Sequence, residues 1–123
     1  MLAAMRREAS IEVSKLLEAS SEALQLTLLS DWGSLDRKIA HMRIQKPGLA
    51  LSGFVKHVYP DRIQVLGLTE IDYLLSMPRE TAEAGLAAYC QKPICALVIT
   101  RGLDPPDFLM DAARRHGIPM LRT

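Results

Sequence analysis

Gly48-Leu49-Ala50-Leu51-Ser52-Gly53 carries the glycine spacing of a phosphate-binding loop. Such a loop needs a lysine next, to reach the β and γ phosphates, and then a serine or threonine to hold magnesium. Phe54 and Val55 follow instead. An apolar pair cannot hold the charge of a triphosphate, so nucleotide hydrolysis at this place is excluded. Gly48 and Gly53 are read as the ends of a short buried strand, Leu49-Ala50-Leu51. A second candidate is Arg101-Gly102, which follows the apolar run Ile94-Cys95-Ala96-Leu97-Val98-Ile99 and Thr100. Ligands of open α/β sheets bind at the carboxyl ends of strands. Arg101 could pair there with a phosphate or carboxylate, helped by the backbone amides of the helix that follows. Asp104 and Asp107 work against this. A carboxylate at a helix start gains about 0.3–1 kcal/mol from the dipole and repels an incoming anion by a similar amount. Asp104 is therefore read as the N-cap, with Pro105 in the first turn. Arg62, after Pro60-Asp61, opens a strand and is either a ligand or subunit contact or a solvated edge residue.

The remaining reactive side chains form no constellation. His41, His57 and His116 are scattered, and none has a metal-ligand partner two or four residues on. His116 ends a helix, where imidazole favours the negative dipole end. Cys90 and Cys95 are five apart, neither a redox C-x-x-C nor half of a zinc site. Glu80 and Glu83, three apart on one helix, read as a solvated face. Trp32 reads as a loop anchor, and Met77, Met110 and Met120 as core filling. No nucleophile can be paired with a base, and no metal site or catalytic set is predicted.

The elements that must position these residues follow from composition and pattern. At 123 residues the chain is one domain, and it is long enough to need no metal or disulfide to fold. Hydrophobic residues make up 49% but aromatics only 5%, so the core must be aliphatic. Lys and Arg total 15 against 14 Asp and Glu, a net charge of +1, which argues against nucleic-acid binding. The start lacks the apolar core of a signal peptide, and no run approaches the roughly 18 apolar residues of a membrane span. A soluble, reduced, cytoplasmic protein is expected.

Residues 1–10 read as a mobile lead-in, followed by a single α/β domain over 11–123. Within it, Ser10 to Val13 is read as a short strand, Ser14 as the cap of a helix from Lys15 to about Ala19, and Gln25 to Leu29 as strand. Ile39 to Ile44 alternates weakly. Arg62 to Gly67 is the clearest strand, with Ile63 and Val65 on one face. Thr69 is read as the cap of a short helix, with Asp72 three residues on and Ile71, Leu74 and Leu75 as its buried stripe. Pro78 sits in the first turn of a helix to about Cys90, which turns Ala82, Leu86, Tyr89 and Cys90 inward. The apolar strand to Ile99, a helix to His116 and a strand at Met120–Thr123 complete a crossover. The expected fold is α/β, a parallel or mixed sheet flanked by helices.

Four segments resemble the N-terminal domain of HPr kinase/phosphorylase. Lys46-Pro47-Gly48-Leu49-Ala50-Leu51-Ser52-Gly53-Phe54 is similar to that family's Arg-Pro-Gly-Leu-Glu-Leu-Ala-Gly-Phe stretch. Tyr59 to Glu70 is similar to its Pro-Glu-Arg-Ile-Gln segment. Thr100-Arg101-Gly102-Leu103-Asp104-Pro105-Pro106 resembles its Thr-Arg-Gly-Leu-Glu-Pro-Pro turn, and His116 to Thr123 its closing segment. Lys46 stands where the family pattern has Arg, which keeps the charge but loses the planar fork.

The resemblance implies a fold like that of Mur ligase N-terminal domains. It also implies a parent protein whose separate P-loop domain, absent from this chain, would begin after about Thr123. That domain would use ATP or pyrophosphate with magnesium to phosphorylate and dephosphorylate a serine of HPr, in the control of bacterial carbon metabolism. The chain itself would need no cofactor. Its partners would be its own kinase domain, HPr through the parent, and other subunits of an oligomer, typically a hexamer, with no nucleic acid and no membrane. The expected role is a non-catalytic regulatory or assembly domain. The alternatives are a stand-alone sensor of an anionic small ligand and an oligomerisation domain. The candidate ligand-binding residues are Arg101, Gly102, Arg62 and Lys46.

Overall fold

The run Ile94 to Ile99 is buried at every position, and this organises the architecture. In a strand, successive side chains point to opposite faces, so a continuous apolar run requires cover on both. The computed structural model describes residues 11–20, 26–30, 32, 35–40 and 43–123 and supplies that cover. Its elements are β1 (Ile11–Glu12), α1 (Val13–Ser20), β2 (Thr27–Leu28), β3 (Lys38–Ile39), a 3-10 helix (Gly48–Ser52), β4 (Gln64–Leu66), α2 (Leu68–Ser76), α3 (Arg79–Cys90), β5 (Leu97–Ile99), α4 (Asp107–Arg115) and β6 (Met120–Arg122).

The main sheet has the order β2-β6-β5-β4. Strands β4, β5 and β6 are parallel, with Val65 opposite Val98 and Val98 opposite Leu121. β2 runs antiparallel along the β6 edge, and Gln45 adds a parallel bridge beyond β4. The fold is therefore α/β with a mixed sheet. On one face Leu66, Leu97, Ile99 and Met120 pack with Leu51 of the 3-10 helix, Leu74 of α2, Leu86 of α3 and Leu109 of α4. On the other, Ala96, Val98 and Leu121 pack with Val13 of α1 and Ile39 of β3. β1 and β3 form their own antiparallel pair, Ile11 opposite Ile39. The order Gln45, β4, β5, β6 runs one way across the sheet. The crevice that open α/β sheets form where strand order reverses is thus missing from this parallel run.

Several expectations are corrected. Leu49-Ala50-Leu51 is not a strand but the centre of the 3-10 helix. Ala50 N donates to Pro47 O at 3.0 Å and Gly53 N to Ala50 O at 3.0 Å. Ala50 and Leu51 are buried, while Leu49 is 64% exposed. A three-residue apolar run has no period that separates the two conformations. The first helix begins at Val13, so Ser14 lies inside it. Of the weakly alternating stretch Ile39 to Ile44, Ile39 lies in β3, and Ile44 is exposed.

The second helix is capped at Gly67, not Thr69, and its first-turn acid is Glu70 rather than Asp72. Gly67 N donates to Glu70 Oε1 at 2.9 Å. Its buried stripe narrows to Ile71 and Leu74, because Leu75 lies on the solvent side of the last turn. The last helix starts at Asp107 after Pro106, not at Asp104. A residue before proline is disfavoured in the α region, so Pro106 keeps Pro105 out of the helix. Asp107 Oδ1 accepts from Phe108 N at 2.8 Å, and the helix ends at Arg115 with His116 as its C-cap. The inward face of α3, the Trp32 anchor and the packing of Met77, Met110 and Met120 match expectation. Trp32 Nε1 donates to Ile118 O at 2.9 Å. The lead-in 1–10, Gln25 at the start of the second expected strand, and His41 lie outside the described residues.

Gly85 decides how closely α3 can approach the 3-10 helix. A Cβ there would lie 2.3 Å from Leu51 O and 2.8 Å from Ser52 Cα, and both are backbone atoms without freedom to swing away. We expect Gly85→Ala to lower stability by about 2–3 kcal/mol through overpacking. A urea denaturation midpoint shifted down at unchanged m-value would verify it; an unchanged midpoint would contradict the close contact.

Candidate functional site

The carboxyl end of the sheet is built from two turns. After β5, Thr100 to Leu103 close a tight turn in which Leu103 N donates to Thr100 O at 3.1 Å. Arg101 and Gly102 have φ of 57° and 62°, the left-handed pair of a type I′ turn. Glycine takes this conformation without penalty. Arg101 does so at a cost of about 1–2 kcal/mol. The end of the chain holds it there: Arg101 N donates to Thr123 Oγ1 at 3.2 Å and Gly102 N to Thr123 O at 3.2 Å. The Arg101 side chain is exposed and forms no hydrogen bond or ion pair with a described residue. Asp104, expected to cap the helix, reaches Arg122 at 3.2 Å instead, with its side chain 95% exposed.

The second turn follows β4. Gln45 pairs alongside β4 and so delivers Lys46 to the same end of the sheet. Lys46 Nζ lies 2.9 Å from Glu70 Oε1, whose side chain is only 5% exposed. A Cβ on Gly67 would stand 3.3 Å from both Lys46 Nζ and Thr100 Oγ1. Lys46 thus folds over the bare glycine to reach a buried carboxylate. It is brought close to Thr100, the neighbour of Arg101, but its charge is already matched.

Arg62 is not part of this neighbourhood. It precedes β4 and lies at the amino end of the sheet, its guanidinium 4.4 Å from the centroid of the Tyr59 ring. Its Nε is buried without a hydrogen-bond partner. The candidate set Arg101, Gly102, Lys46 and Arg62 therefore divides between opposite ends of the strands.

Sequence reasoning missed Gln64, which is fully buried in β4. Its amide nitrogen lies within hydrogen-bonding distance of Gln45 Oε1 (2.9 Å), Tyr59 O (3.1 Å) and Arg62 O (3.2 Å). Its carbonyl oxygen accepts from the Tyr89 hydroxyl at 2.8 Å. Burial drives the Tyr89 phenol well above its ordinary pKa, which keeps it a donor. The available signal was a polar residue sharing a strand face with Leu66, a position that demands partners once buried.

A cleft of about 150 Å³ between α3 and α4 is lined in part by Arg79, Glu83, Phe108, Arg115 and His116. Arg79 is held by Glu83 at 2.7 Å and Asp107 at 3.5 Å, and these bonds, Glu83 first, raise its pKa. His116 Nδ1 lies 3.0 Å from Ala112 O. The acids and bases are paired locally rather than aimed at one point. No group of three His, Cys, Asp or Glu among the described residues could hold a metal ion. Burial pushes the Cys90 thiol up to about 12 and the Cys95 thiol to about 11, which makes both poor nucleophiles at neutral pH.

What the surface does offer is apolar. Leu49 is 64% and Phe54 54% exposed. Leu49 stands between two shallow hollows. One, of about 260 Å³, is lined by Gly48, Leu49, Thr69, Glu70 and Tyr73. The other, of about 310 Å³, includes Gln45, Lys46, Pro47, Phe54 and His57. Phe54 and His57 meet edge to face at 6.0 Å. Among the described residues lining these hollows no acid-base groups converge.

Comparison with known proteins gives two findings. A family model described as HPr Serine kinase N terminus matches residues 11–123. A curated HPr kinase/phosphorylase from Geobacter sulfurreducens (strain ATCC 51573 / DSM 12127 / PCA) is 44% identical over 114 residues, which cover 93% of this chain and 36% of the relative. The chain spans about a third of the length of that relative.

Two outcomes are expected from this geometry. Lys46→Met leaves Glu70 with the Gly67 amide alone and should lower stability by about 1–3 kcal/mol in urea denaturation. Lys46→Arg should restore most of it, and equal loss in both would show that the ion pair is not what holds Glu70. Second, iodoacetamide at pH 8 should modify Cys90 and Cys95 only after unfolding. From about pH 9 to 11 the unfolded chain loses thiol protons that the folded chain keeps, so stability should fall as pH rises through that window. Rapid alkylation of the native protein would contradict the burial.

Proposed function

Because the chain belongs to the HPr serine kinase N-terminal family, we propose that it is a non-catalytic accessory domain of an HPr kinase/phosphorylase, serving the assembly of that protein. In this reading phosphoryl transfer to and from HPr, with ATP or pyrophosphate and magnesium, belongs to a separate P-loop domain of the parent. The parent acts in the cytoplasm on carbon metabolism. One observation carries the choice of assembly over ligand sensing: Leu49 and Phe54, beside the strand ends, are large apolar side chains left exposed. The cationic candidates are spent on the protein itself or separated. Lys46 answers Glu70, and Arg62 lies over Tyr59 at the far end of β4. None of the described helices is long and apolar enough to cross a membrane.

A second reading rests on Arg101. Its left-handed backbone and uncommitted guanidinium stand beside Thr100 at the strand ends, where a small anion would be met. Pyrophosphate at about 100 times its dissociation constant would add about 2.7 kcal/mol to stability. A thermal shift with pyrophosphate that Arg101→Ala abolishes would favour sensing, and no shift favours assembly.

The accessory role is tested in two steps. The purified chain, given labelled ATP, magnesium and HPr, should transfer no phosphate. Deleting the matching segment from the Geobacter relative should change its subunit assembly while leaving measurable transfer to HPr. Labelling of HPr by the isolated chain, or loss of transfer with unchanged assembly, would overturn the proposal.

A further inference from the structure

The cleft between α3 and α4 contains one charge that the protein does not match. Arg79, Glu83 and Ala87 line it from α3 at a spacing of four, which puts them on one helix face. Arg79 is matched by Glu83 at 2.7 Å and by Asp107 at 3.5 Å. From α4, Asp111 lines the cleft and is matched by Arg114 at 3.6 Å. Arg115 lines the same cleft and forms no hydrogen bond or ion pair with a described residue. Once the paired charges cancel, one cation is left over, and an anion is what would answer it.

His116 follows Arg115 in the chain and lines the cleft with it. Its Nδ1 lies 3.0 Å from Ala112 O. A carbonyl oxygen only accepts, so Nδ1 carries the proton, and in the neutral ring Nε2 is left as an acceptor. Nε2 has no hydrogen-bond partner among the described residues. The cleft therefore offers a cation together with an acceptor suited to an O–H group. The helix end itself does little to repel an anion. Ala113 O accepts from Ile118 N at 2.9 Å and Arg114 O from Gly117 N at 3.1 Å, so carbonyls that form the negative end of α4 are satisfied within the protein.

Size and charge narrow the ligand. The volume of about 150 Å³ lies below the roughly 300–1,000 Å³ of sites for drug-sized molecules, so the occupant is small. Ala87 and Ala112 contribute methyl groups to the lining, which suits a molecule with a few carbon atoms. A single negative charge matches the single unpaired cation. A phosphate dianion would bring a second charge into a cleft that Glu83 and Asp111 also line, and like charges brought together are unfavourable.

We infer that the cleft between α3 and α4 binds a small hydroxycarboxylate, its carboxylate on the Arg115 guanidinium and its hydroxyl donating to His116 Nε2. A carboxylate meets a guanidinium through two parallel N–H···O bonds, and the hydroxyl supplies the donor that a plain carboxylate lacks. The cleft shares no lining residue with the hollows beside Leu49. The inference goes beyond the assembly reading and does not rest on it. A ligand of so few atoms is expected to bind with a dissociation constant on the order of 1 mM.

Titrating the isotope-labelled chain with lactate, propionate and orthophosphate, followed by amide NMR shifts, tests it. Lactate should shift amides of α3 and α4 along the cleft, and propionate, which lacks the hydroxyl, should do so several-fold more weakly. Orthophosphate at about pH 8, where the dianion predominates, should bind there more weakly than lactate. Arg115→Gln should weaken both acids about 10-fold or more, the loss of a hydrogen bond to a charged group. His116→Asn keeps a donor for Ala112 O but removes Nε2, so it should bring lactate down to the level of propionate and leave propionate unchanged. Absence of cleft shifts at about 50 mM lactate, far above the expected constant, would overturn the site. So would equal affinity for lactate and propionate in the wild type, tighter binding of orthophosphate, or indifference to Arg115→Gln. The comparison of ligands on the wild-type chain holds even if a variant fails to fold.

Discussion

A buried amide at the start of a parallel strand must find partners, and the way Gln64 finds them fixes most of the surface that concerns function. Gln64 lies in β4 with no solvent contact. An unsatisfied polar group there would cost about 1–3 kcal/mol. It is satisfied by reaching Tyr89 on α3 and, on its other side, Gln45, Tyr59 and Arg62. Gln45 in turn donates to His57 O at 2.7 Å and accepts from Tyr59 N at 2.9 Å. One side chain therefore ties the whole excursion between Gln45 and β4 to the sheet. That excursion contains the 3-10 helix.

Two further contacts set the pose of the 3-10 helix. Gly85 lets α3 approach its backbone from below. Lys46 anchors its entry to Glu70 at the start of α2. With both ends and the underside fixed, Ala50 and Leu51 turn into the core and Leu49 has only solvent to face. The exposure of an apolar side chain here is a consequence of rigid support. Preorganisation of this kind favours association, because little conformational freedom is left to lose on binding.

The same construction explains why the cationic candidates do not converge on one point. A parallel strand places residues before and after it at opposite ends. Arg62 before β4 and Arg101 after β5 therefore cannot meet. The strand order also runs one way from Gln45 to β6, so helices and the 3-10 segment cover one face while α1 and β3 cover the other.

Much of this was legible in the residues. The six-residue apolar run to Ile99 announced a strand buried on both faces. The spacing of Ala82, Leu86, Tyr89 and Cys90 announced the inward face of α3. The missing lysine after Gly53 excluded a phosphate loop. These are local patterns, in which identity and spacing alone settle the outcome. The 3-10 helix, the caps at Gly67 and Pro106, the partners of Gln64 and the pairing of Lys46 with Glu70 were not legible. Leu49-Ala50-Leu51 carries no period to distinguish strand from helix, and several nearby acids could have served as caps. The sequence by itself determined the fold class, the family resemblance and the buried sides of its long elements. Only the tertiary structure decided which charges neutralise each other and which leucine stays in water, because those outcomes depend on distances between segments far apart in the chain.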